Sequence, residues 1–188
     1  MTTTTANQDS VKADIVRHTL ELAQETGWPG VSTRKIANRL HTSTIAIYHY
    51  FGSKDAVLIE LQHDGFRQLC EMLISAVSGE TKPKRQLKAA SRAMLTFARA
   101  NHDLYALMFN LDGAMCRSDA ANEATEGMER VKVALGQLTK DDMESVFVNW
   151  FALMQGFISL TRNDTQADAI DWFDQVLDDA IRRFIRGL

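Results

Sequence analysis

Pro29 and Pro83 are the only prolines in the chain, and ten glycines are spread over its 188 residues. Proline blocks helix interiors and glycine supplies tight turns, so this sparse punctuation leaves few places for the backbone to reverse. The long uninterrupted stretches favour helices over a turn-rich β architecture. Hydrophobic residues make up 45% of the sequence, enough to bury a core.

The apolar spacing follows the helical period. From Ser10 to Thr26 it runs through Val11, Ile15, Leu22 and through Val16, Leu20, Ala23, with Gly27 placed to close the helix after a polar tail. Ser32 and Ser43 are N-cap candidates for two short helices, to Leu40 and to about Phe51, separated at His41-Thr42. Ser53 caps a long helix reaching roughly Val77. Further helices are expected over Lys84–Ala100, a short stretch after Asn101-His102-Asp103, Ala120–Leu138, Asp142–Thr161 and Ala167–Ile185.

Several functions are disfavoured by composition. A net charge of −3 is too small for the whole molecule to bind a polyanion, so any nucleic-acid surface must be local. Cys70 and Cys116 lie far apart without CxxC or Cys/His spacing, which argues against a disulfide framework or zinc site and suits a reducing cytosol. The first ten residues lack a signal peptide's basic start and apolar run, and no stretch approaches the roughly 20 apolar residues of a membrane span. His102-Asp103 reads as a helix start and His63-Asp64 as exposed surface. No GxSxG elbow, P-loop or Cys/His/Glu constellation accompanies either pair. The expectation is a cytoplasmic, non-enzymatic helical protein with no membrane partner, metal or cofactor.

The stretch from Thr44 to Phe51 carries no carboxylate or ammonium. At about 100° per residue, Ile47 and Phe51 share one side, and Ile45 and His49 lie opposite, flanked by Ala46 and Tyr48. Two short helices about three residues apart have the spacing of a helix-turn-helix, whose second helix enters the major groove. There isoleucine, alanine and threonine can meet the thymine methyl, and histidine can bond a base edge. Between Thr26 and Ser53 there is no Asp or Glu, whereas Arg34, Lys35 and Arg39 are present and Lys54 follows. Arg34 and Lys35 stand in a first helical turn, where the macrodipole disfavours each cation by roughly 0.3–1 kcal/mol and a phosphate would reverse that. The charge pattern alone also fits a solvated basic face.

The stretch from Gly27 to Leu58 resembles the DNA-binding head of the TetR family of transcriptional regulators. The resemblance rests on Ser32/Thr33, Ile36-Ala37, Ile47-Tyr48-His49-Tyr50-Phe51 and Gly52-Ser53-Lys54-Asp55-Ala56-Val57 in that order. His41-Thr42 departs from the usual Gly-Val of the turn. The resemblance implies phosphate contacts from Thr33, Tyr48, Tyr50 and Lys54, with Thr44, Ile45, Ala46 and His49 approaching base edges. Ser32, Arg34 and Lys35 complete the expected DNA-binding set. It also implies an all-α fold: a three-helix head over residues 8–52, and a larger helical bundle over 53–188 for effector binding and dimerisation.

For that larger part, the stretches around Tyr105 and Trp150 resemble the C-terminal domain of a TetR subfamily marked by Trp-x-x-x-His-Gly. Here Trp150 is followed by Gln155-Gly156, with one extra residue and Gln in place of His. The expected ligand lining is Phe66, Cys70, Met94, Phe97, Tyr105, Met108, Phe109, Met128, Trp150 and Met154, although any one of them also reads as ordinary core. The family's dimer, built from the last two helices, points to Phe147, Phe173, Val176, Leu177, Ile181 and Phe184. Cys116, in a loop beside Arg117, is a candidate redox sensor.

The expected function is a homodimeric, sequence-specific DNA-binding regulator, a repressor released from a near-palindromic double-stranded operator by a small-molecule effector. The alternatives are a DNA-binding protein of this fold without an effector, a non-enzymatic interaction protein, and a small helical-bundle enzyme.

Overall fold

The computed structural model describes residues 2–111, 119–161 and 167–188, with side chains from residue 8 onward and, in the last segment, from residue 171. Cys116 lies outside the described residues. Helices α1 (Thr2–Thr26), α2 (Thr33–Arg39), α3 (Thr44–Phe51), α4 (Lys54–Ser78), α5 (Pro83–Ala100), α6 (His102–Met108), α7 (Thr125–Gly136), α8 (Met143–Thr161) and α9 (Ala167–Arg186) follow in order. No strand occurs among the described residues.

Punctuation residues set the helix ends. No glycine or proline precedes Gly27, and α1 takes in the threonine tail, which lacks apolar period and which the helix expected from Ser10 leaves out. It stops at Gly27 (φ +69), whose N–H donates to the Ala23 carbonyl at 2.7 Å. Ser32, Ser43 and Ser53 each accept a bond from a backbone N–H three residues on, at Lys35 (3.3 Å), Ala46 (3.3 Å) and Ala56 (3.0 Å). These are the side-chain caps that free helix N-termini require. The helix expected over Ala120–Leu138 opens instead as a 3₁₀ segment, Ala120–Ala124, and is α-helical only from Thr125.

The chain divides into two compact units, residues 1–66 with 103–122 and residues 67–102 with 123–188. In the first, Ile15, Leu22, Trp28, Ile36, Ile47, Leu61, Leu104 and Leu107 are buried. Two long-range polar bonds fasten α6 into it: Trp28 Nε1 to the Asp103 carbonyl at 2.9 Å, and buried Gln62 Nε2 to the Leu107 carbonyl at 2.8 Å. His63 and Asp64 are half-buried here rather than exposed, because their helix packs within this unit, and His63 Nε2 is 3.9 Å from Asp119 Oδ1.

The second unit is centred on Trp150, Phe97, Leu73, Leu87, Met94, Leu135 and Met154. Gly127 lets α7 approach α4 closely: a Cβ there would stand 3.0 Å from the Cys70 carbonyl oxygen and 3.2 Å from Leu73 Cβ. The Gly127 N–H donates to Cys70 Sγ at 3.2 Å. Helix α9 is tied to α5 by Asp178, which accepts from both Lys88 Nζ (3.2 Å) and Arg92 Nε (3.0 Å), and by Asp174, bonded to Arg99 at 2.6 Å.

Candidate nucleic-acid interface

Helix α3 is pinned from one side and open on the other. Ile47 is fully buried and Phe51 half-buried, the two positions that the helical projection turns inward. Ile45 is 76% exposed and Tyr48 52%, with His49 exposed beside them, and Thr44, Ala46 and Tyr50 are half-buried. The His49 and Tyr50 rings meet edge to face at 5.2 Å, and Lys12 Nζ lies 5.9 Å from the Phe51 ring centroid. The face therefore offers methyl groups, an imidazole and a phenol, with cations at its margin.

Helix α2 fixes α3 through buried Ile36 and Ala37. Ser32, Arg34 and Lys35 on its first turn are exposed, and Thr33 is half-buried. The cations have different assignments. Lys35 Nζ donates to the Gly30 carbonyl at 2.8 Å. Arg39 forks onto Glu25 with two bonds of 2.7 Å, and its Nε lies 3.5 Å from Glu21. Hydrogen bonding to Glu25 pushes the Arg39 guanidinium above its ordinary value and holds the Glu25 carboxyl below the usual carboxylate range. A hydrogen bond with His18, then those from Arg17, lower Glu21 likewise. Arg39 thus braces α2 against α1. In the sequence it reads as part of the basic face; the signal for its real partner is Glu21 and Glu25, one turn apart on the preceding helix. Arg34 and Lys54 have no hydrogen bond or ion pair among the described residues.

The expected ligand-lining residues fall into two groups, one in each unit. In the first unit Phe66, Tyr105 and Met108 are buried and Phe109 half-buried, with Phe66–Phe109 edge to face at 5.4 Å and Tyr105–Phe109 at 4.5 Å. In the second, Cys70, Met94, Phe97, Trp150 and Met154 are buried and Met128 half-buried. The Trp150 indole N–H is already satisfied by Ser91 Oγ at 2.9 Å. A groove of about 190 Å³ on this unit, lined by Glu80, Arg85, Lys88, Ala89 and Arg92, shares none of those residues.

Of the expected dimer residues, Leu177 and Ile181 are buried by their own chain, so they belong to the protomer's core rather than to an outer face. Phe147, Phe173, Val176 and Phe184 are half-buried. The outward apolar residues are others: Val148 (59% exposed) and Leu160 (70%) on α8, and Trp172 (58%) on α9. Ala152 lies between the first two, and a Cβ added at Gly156 would meet nothing within 4 Å.

The family model "Bacterial regulatory proteins, tetR family" matches residues 15–61, and "Tetracyclin repressor-like, C-terminal domain" matches residues 87–184, more than half of the chain. Solved structures share the fold. A protein of unknown function from Rhodococcus sp. RHA1 is 23% identical, with a TM-score of 0.77 over 94% of both chains. The TetR family transcriptional regulator PfmR from Thermus thermophilus is 18% identical, with a TM-score of 0.70 over 93% of this chain and 98% of its own. The transcriptional regulator FadR from Bacillus subtilis, solved in complex with stearoyl-CoA, is 16% identical, with a TM-score of 0.72 over 94% of this chain and 98% of its own. No curated protein sequence matches the chain.

Proposed function

We propose that this chain, which belongs to the TetR family of bacterial regulatory proteins, acts as a homodimeric repressor that a small-molecule ligand releases from a near-palindromic operator. Membership makes it a DNA-binding transcriptional regulator. The observation that carries the finer reading is the outward face of α3: Ile45 and Tyr48 exposed, His49 beside them, and no acidic residue from Thr26 to Ser53. Ile45, Ala46, Thr44 and His49 approach base edges, and Thr33, Tyr48, Tyr50, Lys54, Arg34 and the first turn of α2 take phosphates. Residues 8–52 form the DNA-binding part and residues 53–188 the effector and dimerisation part.

Dimerisation uses the outer faces of α8 and α9, where Val148, Ala152, Leu160 and Trp172 are exposed. Gly156 would let a second copy approach closely. An effector acts by population shift, biasing α4 between two settings that place the paired heads in or out of successive major grooves. The FadR relative with its bound stearoyl-CoA supports an effector-responsive body.

Selection of bound fragments from a random DNA pool tests the reading, with wild type compared against a Tyr48→Ala/Lys54→Ala variant at two salt concentrations. Wild type alone should recover one near-palindromic sequence, held less tightly at higher salt. Recovery of no preferred sequence by wild type would remove the regulator reading.

A further inference from the structure

Helix α2 ends in a hydrogen-bonded loop in which the Thr42 N–H donates to the Ala37 carbonyl at 2.9 Å and the His41 N–H to the Asn38 carbonyl at 3.1 Å. This closure drives residue 41 into the left-handed region, with φ +50. Glycine occupies such positions without strain; a side chain there crowds the backbone. At its two other left-handed positions this head does use glycine, Gly27 (φ +69) and Gly52 (φ +76). His41 is exposed, and its imidazole has no hydrogen bond or ion pair among the described residues. The loop's backbone bonds hold this conformation, while the imidazole itself makes no described contact and is left to meet a partner outside the protomer.

The position indicates which partner. His41 lies three residues before Thr44, a span of at most about 11 Å. In a helix-turn-helix the first residues of the second helix reach the base edges. With Thr44 and Ile45 at the groove floor, residue 41 stands at the rim, where phosphates line the groove. Arg34, Lys35, Arg39, Tyr48, His49 and Tyr50 are the charged or titratable groups on α2 and α3, and no carboxylate on either helix competes for the imidazole.

We infer that His41 is a DNA contact, donating an imidazole N–H to a backbone phosphate beside the residues that α3 carries to the bases. This rests on the reading that the head binds DNA. The test measures binding of a random-sequence duplex pool by fluorescence anisotropy, together with thermal melting, for wild type, His41→Gly, His41→Asn and Tyr48→Ala. His41→Gly relieves the strain, so it should melt at or above wild type yet bind about threefold to tenfold more weakly. Asparagine tolerates the left-handed region and keeps an N–H donor, so His41→Asn should stay within about twofold of wild type. If His41→Gly binds as tightly as wild type while Tyr48→Ala is weakened, this inference fails and the DNA-binding reading stands. Equal weakening by Gly and Asn also overturns the hydrogen-bond role. Absence of binding by wild type overturns both readings.

Discussion

Replacing Ser91 by alanine should expose how the second unit is held. Ser91 and Trp150 are both fully buried, and the indole Nε1–H donates to Ser91 Oγ at 2.9 Å. The hydroxyl in turn donates to the Leu87 carbonyl at 2.8 Å, an acceptor that also serves the helical backbone. Ser91→Ala therefore orphans one buried donor, the indole N–H, at a cost of about 1–3 kcal/mol. Alanine returns about 0.5 kcal/mol of helix propensity. The net loss of about 0.5–2.5 kcal/mol corresponds to a melting midpoint lower by about 1–10 °C for a chain of this size. The assay is thermal unfolding followed by circular dichroism, repeated in a Trp150→Phe background, which has no donor to orphan. There, Ser91→Ala should cost almost nothing, a coupling of about 1 kcal/mol or more. An unchanged midpoint in the single variant, or the same loss in both backgrounds, would refute the assignment of Trp150 as a satisfied core residue and return it to the candidate ligand lining.

Three more outcomes separate core, brace and surface. Ile47→Ala should lose about 2–5 kcal/mol of stability in denaturant titrations, while Ile45→Ala stays within about 0.5 kcal/mol and alters only DNA selection. Arg39→Ala should lower stability near neutral pH. Glu25, held below the usual carboxylate range by hydrogen bonds from Arg39, and Glu21, lowered first by His18, contribute stability that is present above the unfolded carboxylate pKa and lost as pH falls through the folded value. The gap between Arg39→Ala and wild type should therefore close below about pH 4 in melting scans. Leu160→Glu should halve the mass seen by light scattering without lowering protomer helicity; an unchanged mass would move the dimer face elsewhere.

The head was legible because its determinants are local. Ser32, Ser43 and Ser53 lie next to the helices they cap, and the inward turn of Ile47 follows from the helical period. What sequence could not supply was pairing across long separations. The Trp28–Asp103 and Gln62–Leu107 bonds, and the hold of Asp178 on Lys88 and Arg92, join residues that no local pattern relates. An apolar stripe likewise cannot say which of its edges a chain buries itself: Leu177 and Ile181 fill the protomer core, and Trp172 on the same helix is left outside. Polar period was misleading at the N-terminus, where absence of a breaker extends α1 through a threonine tail with no apolar face. His41 was visible as a departure from the family's turn, but only the backbone reveals the left-handed conformation it endures.

The central claim is that the exposed face of α3 reads base edges. The most direct measurement is the affinity ratio between the selected duplex and a shuffled duplex of equal length, at one fixed salt concentration, for wild type and for Ile45→Ala/His49→Ala. A ratio of about 10³ or more is expected for wild type. For the variant, which keeps Thr44 and Ala46, the ratio should fall by about tenfold or more, with affinity for the shuffled duplex unchanged because the phosphate contacts are intact. A wild-type ratio near one, or a variant that keeps the full ratio, would contradict base-edge reading by α3.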